Sequence, residues 1–423
     1  MIVLTLAKDL DEAEREAERI TSRLKHRLTE SIKKIELELE LGSLYVITRK
    51  NDLLLKDGLL AASKHIAPEN TRFLEKLAES DEPEEVGKRL MELEGFYSGV
   101  IASDKRLILF RDHVGHMPLA YKLEDGKLLC ALERVPIGSG SQQLQPGSML
   151  IIENGDKRAR RWYSPQPKPL ENEDPWKVLA EKLLEMAEKY LPREFELAFS
   201  GGLDSSILAY LGVLAGKKAR AIAVGVERCL DRRWAGEAAE LLGIELREII
   251  VEEAELLEAV ELLKKALPEY SKMDLAIGSI FHLAARNCGG VLVSGQGADE
   301  LFGGYWKYED ALKRKGIEYA AKLIREDIEN IHRVNLERDE LAIALAGSDL
   351  LAPYLSRQIY ELALAIDPSL KIRSIGGQVV RKWVLRMAAR ELGLPEKLIN
   401  RPKKAAQYSS GIMNRLRRLL KAS

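Results

Sequence analysis

The chain has 423 residues, too many for one ordinary core, so two or three domains are expected. Its 46% hydrophobic and 31% charged content is that of a soluble globular protein, and a formal net charge of -1 argues against binding nucleic acid chiefly through phosphates. Three cysteines (Cys130, Cys229, Cys288) lie far apart with no CxxC, which points away from zinc or a disulfide framework and toward a reducing cytoplasm.

Lys8, Asp9 and Asp11 arrive before any long apolar run, so neither a signal peptide nor a membrane span is expected. Abundant Glu, Lys and Arg with few Gln hint at a heat-adapted source. The spacing predicts an amphipathic helix over residues 9–28 with a solvated charged face. Short strands follow at Ile35–Glu40, Leu44–Thr48, Tyr97–Ala102, Leu107–Phe110, Leu119–Tyr121, Leu128–Ala131 and Met149–Ile152. Residues 1–155 therefore read as a β-rich domain. His113 and His116 fall in a loop, as packing or surface residues and not a metal pair.

Within this domain GFYSGVIA, LFRDHVGHMPLAY, LCALE and LQPGSML resemble successive pieces of the glutaminase domain that opens class B asparagine synthetases. The resemblance implies an αββα, Ntn-hydrolase-like fold. In that family an N-terminal Cys supplies both the thiol nucleophile and the amine base. Here the second residue is Ile2, Cys130 lies on a strand deep in the chain, and the glutamine-binding HRGPD and NGEIYN segments are missing. A degenerate glutaminase-like domain, without glutaminase activity, is the expectation.

Polar, proline-rich residues 156–175 are expected to link this domain to a second one at 176–423, with the Lys157–Arg161 cluster as solvated linker. A helix at Trp176–Tyr190 leads into ELAFSGGLDSSILAYLG (Glu196–Gly212). The brief apolar run Leu197–Phe199 reads as a buried strand, and Ser200, Gly201 and Gly202 as a turn that lets a ligand approach the backbone. Asp204 and Ser205 suit the capped start of a helix with Ile207, Leu208 and Leu211 on its apolar face. Such a strand, turn and helix N-terminus aim free N–H groups at one point, as a phosphate or pyrophosphate requires. No Lys follows the glycines, so this is not a Walker loop. SGGLDSS instead resembles the pyrophosphate loop of enzymes that split ATP into AMP and pyrophosphate.

Strand Ala219–Val226, helix Trp234–Leu242 and strand Leu246–Val251 then alternate as parallel βαβ units. They predict an α/β domain with a doubly wound parallel sheet and a helical C-terminal part. A further strand, Gly290–Ser294, runs into SGQGADELFGGY (Ser294–Tyr305). That string resembles the second ATP-site motif of the asparagine synthetase and β-lactam synthetase family. Cleaving ATP between its α and β phosphates calls for Mg²⁺ held by carboxylates and phosphate oxygens. The resemblance implies Asp204 and Asp299 as its ligands, and AMP held around Phe199, Val224, Ser294 and Gly295, with Ser200, Gly201, Gly202, Ser205 and Ser206 completing the nucleotide loop. As an alternative, Asp299 and Glu300 cap a helix.

NLERDELAIALAGSDLLAPYLS (Asn335–Ser356) resembles the family segment NLxRDDHxxMAxGxExRxPFLD. Asp349 stands at its catalytic Glu, with helix capping as the equal alternative. The family Arg falls on Leu351 and the final Asp on Ser356, which leaves the substrate open. NRPKKAAQYSSG (Asn400–Gly411) resembles a segment of archaeal-type asparagine synthetases and implies that Lys403 stabilises charge on the phosphates. Lys404, Arg415, Arg417 and Arg418 read as a solvated face. Asp274, in KMDLAIG, lies near a family substrate position and receives no role.

Over nearly the whole chain the resemblance implies an ATP-dependent ligase. It would activate a carboxylate, aspartate by family frequency, as an acyl-adenylate, release pyrophosphate and amidate the acyl group with free ammonia. A β-lactam-synthetase-like or other amine-dependent ligase is the first alternative. A tRNA-modifying ATP pyrophosphatase and a non-enzymatic regulatory protein are alternatives of other classes. Partners are expected to be small molecules, without membrane or nucleic acid, and a homodimer stays open as the state of assembly.

Overall fold

The computed structural model describes residues 1–28, 31–66, 72–170, 174–402 and 404–422, in two units, Met1–Ser164 and Pro165–Ser423. In the first, β1 (Ile2–Ala7) leads to α1 (Leu10–Ser22), whose N-cap Asp9 accepts from the Glu12 amide. Next come β2 (Ile32–Leu39), β3 (Gly42–Arg49), β4 (Leu53–Lys56), β5 (Leu59–Ile66), α2 (Phe73–Leu77) and α3 (Pro83–Glu92). β6 (Phe96–Ala102), β7 (Arg106–Arg111), β8 (Ala120–Glu124), β9 (Lys127–Ala131) and α4 (Arg134–Ile137) follow. β10 (Gln142–Gln143), β11 (Ser148–Glu153) and β12 (Asp156–Arg161) complete the unit. The strands form two six-stranded sheets, β10-β8-β9-β1-β3-β2 and β12-β11-β7-β6-β5-β4.

Successive residues of a strand point to opposite faces. Ile2, Leu4 and Leu6 enter a core shared with Val100, Leu107 and Leu109 of the other sheet, while Val3 and Ala7 pack on Ala13, Ala17 and Ile20 of α1. Tyr97, Ile101, Ile108 and Phe110 face Phe73, Leu77, Val86 and Leu90 of α2 and α3. The three clusters separate four layers, helix, sheet, sheet and helix, which is the αββα arrangement. Burial on both faces also explains why β1 (IVLTLA) is apolar but for Thr5, whose hydroxyl donates to the Ala13 carbonyl, without the alternation of a half-wet strand.

Two local expectations differ from the structure. α1 stops at Ser22, short of residue 28, and the chain continues in a 3₁₀ turn at Lys25–Arg27. Residues 156–161, expected in the linker, form the exposed edge strand β12, paired with β11 from Asp156 opposite Glu153 to Arg161 opposite Ser148. Its cations keep that edge wet and discourage pairing with another chain. His113 and His116 are packing residues, 4% and 1% exposed, the latter stacked 4.1 Å from Phe96. Cys130 is wholly buried between the sheets, and burial pushes its thiol far above the ordinary range, so no thiolate nucleophile forms there.

In the second unit α5 (Pro175–Tyr190), β13 (Glu194–Ala198), α6 (Leu203–Leu214), β14 (Lys218–Gly225), α7 (Leu230–Leu242) and β15 (Glu245–Ile250) alternate as predicted. α8 (Glu253–Ala266), α9 (Lys272–Ala285), β16 (Val291–Val293), α10 (Ala298–Phe302), α11 (Trp306–Lys315) and α12 (Ile317–Ile331) come next. α13 (Glu337–Ala344), β17 (Asp349–Leu351), α14 (Arg357–Ala365), α15 (Pro368–Lys371), β18 (Ile372–Ile375), β19 (Gln378–Arg381) and α16 (Trp383–Glu391) follow. The unit ends with α17 (Glu396–Ile399), α18 (Ala406–Ser409) and α19 (Ile412–Ala422).

Its five-stranded sheet is parallel throughout, in the order β15-β14-β13-β16-β17. Strand order reverses between β13 and β16, and a crevice opens beyond the carboxyl ends of strands at such a switch point. The two glycine motifs leave those two strands. This is why segments so far apart in sequence meet. Among the described residues no helix is long and apolar enough to cross a membrane.

Candidate active site

Gly201 sits at φ +64°, and a Cβ there would lie 2.5 Å from the Trp234 carbonyl oxygen, so the turn after β13 needs glycine. Gly202 is the N-cap of α6, and no side chain caps that helix. Asp204 and Ser205, expected as caps, stand in its first turn instead, with Asp204 facing Lys382. The N-terminus of α6 thus carries no side-chain cap. Ser206 is fully buried, and its hydroxyl has no hydrogen-bond partner among the described residues. After β16, Gly297 is the N-cap of α10 at φ +90°, again without a side-chain cap, so Asp299 and Glu300 do not serve as caps either.

Lys382, which no motif marks, joins the two aspartates. Its Nζ lies 2.6 Å from Asp204 Oδ1 and 2.6 Å from Asp299 Oδ1. The residue is 2% exposed and holds a left-handed backbone (φ 56°, ψ 37°) just before α16, uncommon for a side chain with a Cβ. Gly304 makes the room, since a Cβ there would overlap both Asp299 Oδ1 and Lys382 Cε. Two carboxylates flanking one positive charge, beside a helix N-terminus without a side-chain cap, form a donor set that fits Mg²⁺, an ion usually held by one or two carboxylates plus phosphate oxygens. No cluster of three His, Cys, Asp or Glu able to hold a metal occurs among the described residues, so phosphate oxygens would have to complete the shell.

A second polar group adjoins the first. Glu300 is 2% exposed, and Tyr305 Oη and Asn335 Nδ2 each donate to its Oε1 at 2.5 Å. Burial, and then the charge of Asp299, push its carboxyl up to about 7. Asn335 is delivered by a π-helical turn, His332–Leu336, between α12 and α13. Such turns insert a residue and re-aim the side chains beyond it, and they recur at functional sites. Arg338 on α13 donates to both oxygens of Asp339 at 2.7 and 3.1 Å and to Asp274 Oδ1 at 3.0 Å. Burial alone would raise the Asp274 carboxyl, but hydrogen bonds from Ser271 and Arg338 hold it below its ordinary value.

These groups line one cavity of about 880 Å³. Of the residues singled out by sequence it gathers Phe199, Ser200, Gly202, Asp204, Ser205, Val224, Ser294, Gly295 and Asp299, while Gly201 and Ser206 are not part of its wall. Asp349 is not brought in. In the register of β16 and β17 it lies opposite Val291, at the start of the strand, whereas the cavity lies beyond the other end, next to Ser294. Expected as a catalytic acid or a helix cap, it is a strand residue at the far edge of the sheet. Lys403 lies outside the described residues, and its neighbour Lys404 is exposed on the cavity wall. The sequence reading passed over three cavity residues, Lys382 and Arg386, which no motif marks, and Arg401, which lies inside the NRPKKAAQYSSG segment but received no role there.

An uncapped glycine turn and two aspartates at the switch point of a parallel sheet define an α/β nucleotide-binding enzyme domain. The family model described as Asparagine synthase matches residues 193–321 and 313–423. A Methanocaldococcus jannaschii protein, named provisionally as glutamine-hydrolysing asparagine synthetase 1, is 31% identical over 389 residues, covering 77% of this chain and 70% of that one. Glutamine-hydrolysing asparagine synthetase of Asparagus officinalis is 28% identical over 350 residues, covering 76% of this chain and 58% of the plant protein. The chain thus spans 70% of the archaeal relative and less than two thirds of the plant one. A solved allosteric regulatory enzyme of purine biosynthesis overlaps 59% of this chain and 80% of its own at 14% identity and a TM-score of 0.34, too slight to extend the assignment. The chain belongs to the asparagine synthase family, and with it to the ATP-dependent ligases.

Proposed function

We propose that this chain joins a carboxylic acid to a nitrogen nucleophile, driven by cleavage of ATP to AMP and pyrophosphate, with aspartate and free ammonia as the pair implied by the sequence resemblance. The observation that carries the reading is the meeting of Asp204 and Asp299, each delivered by a glycine turn, on one cation beside an uncapped helix N-terminus. Phe199, Val224, Ser294 and Gly295 hold the AMP part, and Ser200, Gly202 and Ser205 take the phosphates. Mg²⁺, held by Asp204 and Asp299, would neutralise phosphate charge as it develops.

A carboxylate oxygen of the acid attacks the α-phosphorus, and the bond to the bridging oxygen of the β-phosphate breaks. Pyrophosphate leaves toward the α6 amides and Lys382, fixed positive groups that need little reorganisation as charge moves. Lys403 adds a further charge in this scheme. The amine then attacks the acyl carbon and gives up a proton to solvent water, and AMP departs with the bonding pair.

Isotope exchange between pyrophosphate and ATP, with products read by mass spectrometry, tests this. Exchange should require Mg²⁺ and a carboxylic acid, and ammonium should then yield the amide. ATP binding with no exchange for any acid would sink the reading.

One observation favours a second reading, an amine-dependent ligase for an acid other than aspartate. Leu351, where the family has Arg, is 1% exposed and uncharged, and Arg338 is already engaged by Asp339 and Asp274. Trp306 and Val334, 64% and 57% exposed, add apolar surface to the cavity wall. Aromatic and aliphatic monocarboxylates therefore belong beside aspartate among the acids tested.

A further inference from the structure

Two more cations line the cavity, Arg386 on α16 and Arg401 just after α17. Both spend their donors on backbone carbonyls. Arg401 gives Nη1 to the carbonyl of Gly201 and Nη2 to that of Trp234 at 3.2 Å, with its guanidinium carbon 4.4 Å from the Trp234 ring centroid. Arg386 gives Nε to the carbonyl of Arg381 at 3.0 Å, Nη1 to that of Ile399, and Nη2 to that of Arg401 at 3.4 Å.

These bonds form a continuous path. The Arg381 carbonyl belongs to the peptide that enters Lys382, the residue in left-handed backbone. Arg386 ties that peptide to the 399–401 segment, and Arg401 ties the segment to the middle of the glycine turn. Gly201 has no slack at this point, because a Cβ on it would lie 2.6 Å from Arg401 Nη1. A planar guanidinium can serve two carbonyls at fixed spacing, which an ammonium on a flexible stem cannot.

We propose that Arg386 and Arg401 are a positioning pair that sets the glycine turn against Lys382, and that their charges, hydrogen-bonded to carbonyls and not to carboxylates, add to the field on the departing pyrophosphate. Neither arginine makes an ion pair among the described residues. Burial pulls the Arg401 guanidinium down to about 10, which leaves it charged at neutral pH. The electrostatic half of the proposal rests on the ATP reading of the cavity. The positioning half does not.

The test uses the full chain and three variants, Arg401→Lys, Arg386→Lys and Arg401→Gln. In the ligand-free protein, amide hydrogen exchange at Ser200–Leu203 should run about tenfold or more faster in Arg401→Lys, with the first unit unchanged. Both Lys variants should lower the rate of pyrophosphate release about tenfold while KM for ATP stays within about threefold, since the charge remains and the geometry is lost. Mg·pyrophosphate, titrated by calorimetry, should bind about tenfold more weakly to Arg401→Gln than to Arg401→Lys. Unchanged exchange at Ser200–Leu203, or a rise spread evenly over the chain, overturns the positioning role. Equal pyrophosphate affinity in the Gln and Lys variants overturns the charge role. A wild-type chain that binds neither Mg·ATP nor Mg·pyrophosphate overturns the ATP reading and the charge role together, and the exchange result still decides the positioning.

Discussion

The ammonium of Lys382 stands 2.6 Å from Asp204, a residue 178 positions earlier in the chain. The same nitrogen is 2.6 Å from Asp299, so one buried cation balances two carboxylates that would otherwise repel across the crevice. Lys382→Met keeps the stem and removes that balance. The variant should melt several degrees lower than wild type without divalent ions, and Mg²⁺ should raise its melting temperature more than it raises the wild type's, by restoring positive charge between Asp204 and Asp299. Pyrophosphate release should fall about a hundredfold or more. Thermal unfolding with and without Mg²⁺ makes the comparison. An equal Mg²⁺ effect on both proteins would mean that the two aspartates do not act as a cation site.

Gly304→Ala tests the same arrangement from the side of steric fit. The added methyl would overlap the Asp299 carboxylate and the Lys382 stem, so the triad must spread although no charge changes. Pyrophosphate release should fall about a hundredfold, because a displacement near 1 Å at reacting groups is enough for that. Melting should drop only by a few degrees. Wild-type activity in this variant would show that the close packing of Asp299 against Lys382 is irrelevant to turnover.

These two residues mark where sequence reading stops. SGGLDSS and SGQGADELFGGY were legible because each is a contiguous strand, turn and helix start whose chemistry is local. Their meeting was legible too, since alternating strands and helices give a parallel sheet whose ligands gather at the carboxyl ends. Lys382 was not, because no motif surrounds it, and Arg401, though inside NRPKKAAQYSSG, gave no sign in sequence that its guanidinium reaches the carbonyls of Gly201 and Trp234. Asn335 and Arg338 were quoted in a matching segment, yet their aim depends on a π-turn that a 3.6-residue period does not foresee. β1 and β5 were missed for a related reason, both faces of their sheets being covered.

Asp349 shows the opposite error, a match in sequence that the strand register does not bring to the cavity. Asp349→Ala should leave pyrophosphate release within about threefold of wild type, whereas Asp299→Asn should lower it about a hundredfold or more. Steady-state pyrophosphate release of the two variants side by side is sufficient. A large loss of kcat in Asp349→Ala, with an unchanged melting temperature, would restore a catalytic role and require β17 to slide toward the cavity in the reacting enzyme.

Lys371 gives a pH dependence with a definite sign. It closes α15 at 3% exposure, and burial, aided by the charge of Arg325, lowers its ammonium to about 7, with Asp367 opposing. The unfolded chain keeps the ordinary value of 10.5, so between about pH 7 and 10.5 the unfolded state binds more protons than the native state. Stability from this group therefore rises through that window, by at most about 1.4 kcal/mol per pH unit. Below about pH 7 the cost of a buried charge is present in full. Lys371→Met fills the same space without a charge. It should be more stable than wild type at pH 7, and the gap should narrow as pH rises toward 10. Urea unfolding of both proteins at three pH values in that range measures the gap. Curves that stay parallel would mean that Lys371 is charged in the native state or reaches water.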